Sequence, residues 1–215
     1  EPYAGIGGGA RALEILGLAP EVHVVMEVST ECVEVVRRTW PGAICYGRVD
    51  CVTEKLLRAE MEKHPMIKEG LVIGGPPCQP FSSLNEDRKG FDDERGAEIA
   101  NFVLLVRQLR RIAPHVRWRS LMENVASMDD SDRDAITMKH RPLVDRVMSD
   151  EDKHVHRLQE QIDPHDYSTR APFKEALESR LKGTHPPYYM DAAEIGPQNR
   201  PRYYWTDFPV YPSSE

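Results

Sequence analysis

An α/β fold of Rossmann-like type, a mostly parallel sheet with flanking helices, follows from three observations. Strand-like runs at Val22–Met26, Ile44–Tyr46, Leu71–Ile73 and Trp118–Met122 are separated by segments of helical character, the alternation that builds parallel sheets. Gly5-Ile6-Gly7-Gly8-Gly9-Ala10 satisfies Gly-x-Gly-x-x-Gly/Ala and leads into a helix start at Arg11–Leu16, the arrangement of a nucleotide-cofactor loop. Glu27 closes the run at Val22–Met26, where an acid can hydrogen-bond ribose hydroxyls.

Composition bounds the rest. The 215 residues suit one domain with a sizeable core, and 29% charged against 40% hydrophobic residues is a soluble globular balance. No apolar run approaches the ~20 residues of a membrane span and no secretory signal opens the chain, so it reads as intracellular, and nuclear if its source is eukaryotic. Net charge is −7, which disfavours a stand-alone nucleic-acid binder; an acidic enzyme can still hold nucleic acid if basic groups gather at the cleft. Candidates are Arg88, Lys89, Arg200 and Arg202. Cys32, Cys45, Cys51 and Cys78 lack zinc-site spacing. No metal is expected, and the four read as reduced thiols, three in the core and one chemical.

Along the chain, the strand expected before the glycine loop is short, because the sequence opens at Glu1-Pro2-Tyr3. Cys32 to Thr39 reads as an amphipathic helix stopped by Pro41-Gly42. Ile44–Tyr46 leads into Gly47-Arg48-Val49-Asp50, where Asp50 is either a site acid or the N-cap of a helix beginning near Thr53. Leu71-Val72-Ile73 runs into Gly74-Gly75-Pro76-Pro77-Cys78-Gln79-Pro80-Phe81-Ser82. Glycines and prolines make that loop a rigid mount, and a thiol there is placed to react rather than to fill a core. Glu123 ends the run beginning at Trp118. Arg200 and Arg202, at i and i+2 on a strand, point to one face, while Pro201 puts that strand at a sheet edge or just before one. Residues 135–184 read as a helical insertion with Leu143, Val144, Val147, Val155, Leu158 and Ile162 on apolar faces. It offers a possible surface for a protein partner, and its His140, His154, His156 and His165 read as surface side chains.

Four segments in order carry a resemblance to the cytosine-C5 methyltransferases: Ala4–Gly9, Pro77-Cys78-Gln79, Met122-Glu123-Asn124-Val125, and Gln198-Asn199-Arg200-Pro201-Arg202. The resemblance implies a class I S-adenosylmethionine-dependent core that methylates C5 of cytosine in DNA. The cofactor contacts it implies are Tyr3, Ala4, Gly5, Gly7, Glu27, Asp50 and Pro77. The chemistry falls to Cys78, Glu123, Arg202 and Arg200, and the substrate contacts to Gln79, Ser82, Asn124 and Gln198. Aligning Val52-Thr53 with the eukaryotic de novo-type enzymes instead puts Arg48 at the Asp50 position. Those enzymes are also resembled at Arg88-Lys89-Gly90, 128–134 and Tyr189–Ala192, whereas Pro77–Phe81 has the form commoner in bacterial, maintenance and tRNA enzymes; the subfamily stays open. The chain divides into a cofactor half (about 1–70), a catalytic half (about 71–134 and 185–215) and the insertion, read as a core fragment without a target-recognition region or final cofactor motif.

The residues suit that chemistry. C5 of cytosine is a poor nucleophile until a soft nucleophile adds at C6, and thiolate both adds and leaves again. A carboxylic acid can donate to N3 while accepting from the exocyclic amine, and no such group reaches a stacked base, so the target must be flipped out or unpaired. Ser82, Ser83 and the polar run 85–94 are candidates for phosphate contact and closure. A tRNA cytosine-C5 methyltransferase and a non-catalytic scaffold remain alternatives. A nicotinamide dehydrogenase would leave Pro77-Cys78-Gln79, Glu123-Asn124 and the arginine pair without a role.

Overall fold

The computed structural model describes residues 1–82, 85, 90–92, 96–144, 187–194 and 198–208. Two sheets carry the architecture. In the first, β1 (Val24–Met26) pairs in parallel with β2 (Ile44–Tyr46). In the second, the strands run in the order β3 (Glu69–Gly74), β4 (Arg117–Val125), β6 (Pro201–Thr206) and β5 (Tyr188–Asp191). The pair β3–β4 is parallel, whereas β6 runs antiparallel to both β4 and β5. Pro2 joins the two sheets: it bridges Met26 in parallel, and its carbonyl lies against Gly74. Of the strand before the glycine loop, which the sequence leaves almost missing, a single bridge at Pro2 is present.

Local rules account for the helices. α1 (Gly8–Ile15) starts from Gly7, which holds φ 86° and lies so close to the Trp40 ring that a Cβ would collide with it; only glycine meets both demands. α2 (Thr30–Thr39) is capped by Ser29, whose side chain accepts from the Cys32 amide, and ends at Trp40 before Pro41. α3 (Glu54–Glu62) is capped by Thr53, so Asp50 is not its N-cap; it lies in a 3₁₀ turn at Val49–Cys51. α4 (Ala97–Ile112) buries Ile99, Phe102, Val103, Val106 and Leu109, a helical stripe at i, i+3, i+4 spacing. These side chains form the core with Val72, Phe81, Met122 and Trp205.

Four expectations change. The strand carrying the arginines lies inside its sheet, between β4 and β5; Pro201 is tolerated because it is the first residue. α5 (Asp130–Val144) crosses the expected start of the insertion at 135, and its Ile136 and Leu143 are core. Most of the remaining insertion, with His154, His156 and His165, lies outside the described residues. His140 is not a surface side chain: it is 3% exposed, and its Nε2 has no partner among the described residues. Cys51 is exposed rather than core, while Cys32 and Cys45 are half-buried, and all four cysteines are free. Among the described residues no helix is long and apolar enough to cross a membrane.

One ion pair ties the far side of the sheet together. The Asp207 carboxylate is 1% exposed, pairs with Arg110 of α4 and accepts the Ser120 amide of β4 at 2.8 Å. Arg110 also donates to the Leu143 carbonyl of α5 at 2.5 Å. Removing the anion strands a largely buried guanidinium, so Asp207→Ala is expected to lower the unfolding free energy by about 3 kcal/mol, read from urea denaturation.

His140 yields a pH prediction. Burial, aided by the Arg110 charge, holds its imidazole down to about 3, whereas an unfolded histidine protonates near ~6.5. Between these values the unfolded chain binds the extra proton, so stability is lost as pH falls below ~6.5. His140→Leu is expected to lose less of its urea midpoint than the parent between pH 7 and pH 5.

Candidate active site

The carboxyl ends of β1, β2, β3 and β4 lie at one edge of the sheets, where ligands of open α/β folds bind. Because β6 is antiparallel, its amino end reaches the same edge. A cleft of about 490 Å³ opens there, with Gly5, Glu27, Cys78 and Glu123 on its wall beside Arg200 and Arg202.

The Cys78 loop is fixed from below. Cys78 O accepts from the amides of Phe81 and Ser82 at 3.0 and 2.9 Å, and the Phe81 ring is fully buried, edge-on to Phe91 at 5.1 Å. Asn124, fully buried, donates to Pro76 O at 3.3 Å and accepts from the Val125 amide at 2.8 Å. The thiol therefore stands half-exposed on an anchored turn.

Glu123 faces the cleft because of sheet register. Gly74 is level with Met122, so Gly75 comes beside Glu123, and a Cβ there would stand 2.6 Å from Glu123 Oε2. On the other side Val125 is level with Arg202, and Glu123 with Tyr204, which puts Glu123 and Arg202 diagonally on one face. Arg202 Nε lies 2.5 Å from Glu123 Oε1, and an Arg200 nitrogen lies 3.8 Å from the same oxygen.

The cofactor half contributes a second carboxylate. Glu27 Oε2 accepts from the Gly5 amide at 2.8 Å, and its Oε1 accepts from the amides of Val28 and Ser29, each at 2.8 Å. Three donors leave an ionised carboxylate with acceptor capacity to spare. Tyr3 also lines the cleft, at φ 56°, a conformation uncommon for a side-chain-bearing residue. Its hydroxyl donates to Glu98 Oε2 at 2.7 Å, and burial together with that carboxylate pushes the phenol far above its usual range.

Cys78, Glu123, Arg200, Arg202, Gln79, Tyr3, Gly5, Glu27 and Pro77 all reach the cleft. Other sequence candidates do not. Asn124 is buried beneath the loop, since neighbours on a strand face opposite ways, and its amide holds the Pro76 carbonyl. Asp50 is off the cleft wall and spends both oxygens on Arg48, at 2.9 and 2.8 Å. Gly7 sits under Trp40, Ala4 is buried, and Ser82 and the exposed Gln198 are likewise off the wall. Ser83, Arg88 and Lys89 lie outside the described residues, as does most of 85–94. Glu98, absent from the sequence reading, is on the wall with Arg48. The available signal was its place in the first turn of α4, which names no partner in advance.

Residues 1–141 match the family model of the C-5 cytosine-specific DNA methylase. The chain belongs to this family. It is 32% identical over 107 residues to the type II methyltransferase M.AquIA of Picosynechococcus sp., covering 49% of this chain and 42% of that protein. It is 31% identical over 105 residues to M.HgiCII of Herpetosiphon aurantiacus, covering 49% of this chain and 22% of that one. The chain spans less than half the length of these curated relatives. The crystal structure of S. pombe Dnmt2 methyltransferase superposes with a TM-score of 0.47 at 16% identity, covering 98% of this chain and 49% of that one.

The two glycines before the thiol loop make a testable contrast. At Gly74 a Cβ would strike the Pro2 backbone carbonyl, but at Gly75 its close contact is the far end of the Glu123 side chain, with the Glu123 carbonyl at an ordinary 3.5 Å. Gly74→Ala is expected to cost several kcal/mol of stability and Gly75→Ala less than about 1 kcal/mol, compared by thermal and urea unfolding.

Proposed function

We propose that this chain is the catalytic core of an enzyme that transfers a methyl group from S-adenosylmethionine to C5 of cytosine in DNA. The observation that carries the reading is the convergence of Cys78, Glu123, Arg200 and Arg202 on a cleft that also holds Glu27 and the Gly5 backbone, in a chain of this family. The wall suits the cofactor: Glu27 keeps acceptor capacity for ribose hydroxyls, Tyr3 offers an aromatic surface, and Gly5 lets backbone approach closely. S-adenosylmethionine would be held by Tyr3, Gly5, Glu27 and Pro77, and when bound it supplies an electrophilic methyl group.

The chain's own residues do the rest. The Cys78 thiolate adds to C6 of the flipped base, and the displaced electron pair moves through the ring towards N3. Glu123 delivers a proton to N3 and accepts from the exocyclic amine, which leaves C5 with enamine character. Arg202, paired with Glu123 before the base enters, moves to the base O2, and Arg200 steadies the carboxylate. Once C5 is methylated, loss of its proton to water lets the C5–C6 double bond re-form and expels the thiolate, while N3 returns its proton to Glu123. Gln79 at the rim would contact the substrate. The protein would work inside the cell, and in the nucleus if its source is eukaryotic.

The test is covalent trapping on a DNA duplex carrying 5-fluorocytosine, with S-adenosylmethionine present. Fluorine at C5 blocks the elimination that frees the cysteine, so a denaturation-resistant adduct is expected, and it should vanish in Cys78→Ala. An adduct on tRNA but not on DNA would reassign the substrate. A folded Cys78→Ala that still transfers methyl would overturn the mechanism.

A further inference from the structure

Glu98 is a carboxylate on the cleft wall that the methyl-transfer chemistry leaves unused. Its side chain is 16% exposed. Oε2 accepts from the Tyr3 hydroxyl at 2.7 Å and from Asn101 Nδ2 at 3.1 Å, whereas among the described residues Oε1 has only an Arg48 nitrogen, at 3.5 Å. Two donors thus fix one oxygen while the other keeps acceptor capacity in the cleft. Arg48 is itself held: Asp50 takes its Nε and Nη2 in a bidentate pair. Asp50 therefore has both oxygens engaged off the wall, while Arg48 and Glu98 face the cleft side by side.

We infer that Glu98, oriented by Tyr3, Asn101 and Arg48, is the residue that reads the exocyclic amine of the cofactor's adenine, rather than Asp50, the cofactor-contacting acid that the resemblance implies for this stretch. The inference rests on the S-adenosylmethionine reading above. Adenine presents an amine donor next to the acceptor N1, which a carboxylate acceptor beside a guanidinium donor complements. A 6-oxo purine would set its carbonyl oxygen against the Glu98 carboxylate, and buried acceptors facing one another lose affinity. Asp50 becomes a positioning residue that acts on the ligand only through Arg48.

Calorimetric binding of S-adenosylhomocysteine and S-inosylhomocysteine to the intact protein tests this. The parent is expected to favour the adenosyl ligand about tenfold or more, the size of one charge-assisted hydrogen bond. Glu98→Gln should lose most of that preference, because a carboxamide can donate to the 6-oxo group. Asp50→Asn should keep it. Glu98→Asp, which withdraws the carboxylate by one methylene without changing charge, should weaken the preference as well, and thermal unfolding checks that each variant is folded. A preference that survives both Glu98 changes, or that disappears in Asp50→Asn instead, overturns the assignment and leaves the cofactor reading intact. A parent that binds both ligands equally also overturns it. A parent that binds neither overturns this assignment and the cofactor reading together.

Discussion

The site depends on β4 keeping two different kinds of neighbour. Its parallel ladder with β3 brings the thiol loop alongside Glu123, and its antiparallel ladder with β6 brings Arg202 and Arg200 to the same edge. Parallel strands alone would offer only their carboxyl ends there. The reversed strand adds an amino end, so side chains far apart in sequence meet at an edge set by backbone hydrogen bonds. Placement of that kind is more exact than placement on loops. It also leaves the thiol loop to be secured separately, which the Asn124 side chain and the buried Phe81 ring accomplish.

Charge at the cleft differs from charge over the chain. The net value is −7, yet the wall carries Glu27, Glu98 and Glu123 against Arg48, Arg200 and Arg202. Local balance, not the sum over the surface, sets the potential that a phosphate-bearing ligand meets on arrival. The acidic surplus lies elsewhere; helix-surface pairs such as Glu34–Arg38 and Glu54–Arg58 are neutral as pairs and add nothing to it.

What the sequence disclosed follows from the range of the forces involved. Strands and helix stops were legible because periodicity, caps and Pro41-Gly42 act within a few residues. Cys78 and Glu123 were legible because each sits at the end of a recognisable run. The burial of Asn124 was not legible from the motif, which runs it beside Glu123, because strand alternation turns one of two neighbours inward. Arg48 and Asp50 could not be separated by sequence, since a tight turn decides which of two residues at i and i+2 lines the cleft. Glu98 was invisible for a different reason: its partner Tyr3 is 95 residues away, and no local pattern records such a meeting. The Pro201 strand was misplaced because proline excludes a central position only when its missing amide would have served the ladder.

No ladder joins the two sheets among the described residues: Pro2 bridges Met26 of β1, and its carbonyl lies against Gly74 of β3. Ladder hydrogen bonds therefore do not propagate from the β1–β2 pair to the four-stranded sheet, and the coupling passes instead through side chains such as Met26, Val49 and Val52 that share the core with Val72. Side-chain contact is a softer link than a continuous ladder. The Glu27 side and the Cys78 side of the cleft thus rest on two sheets held together through a shared side-chain core. A ligand lying across the join would stiffen it, so that slowed amide exchange in β1 and β2 becomes a record of occupancy at a cleft whose far wall has not moved.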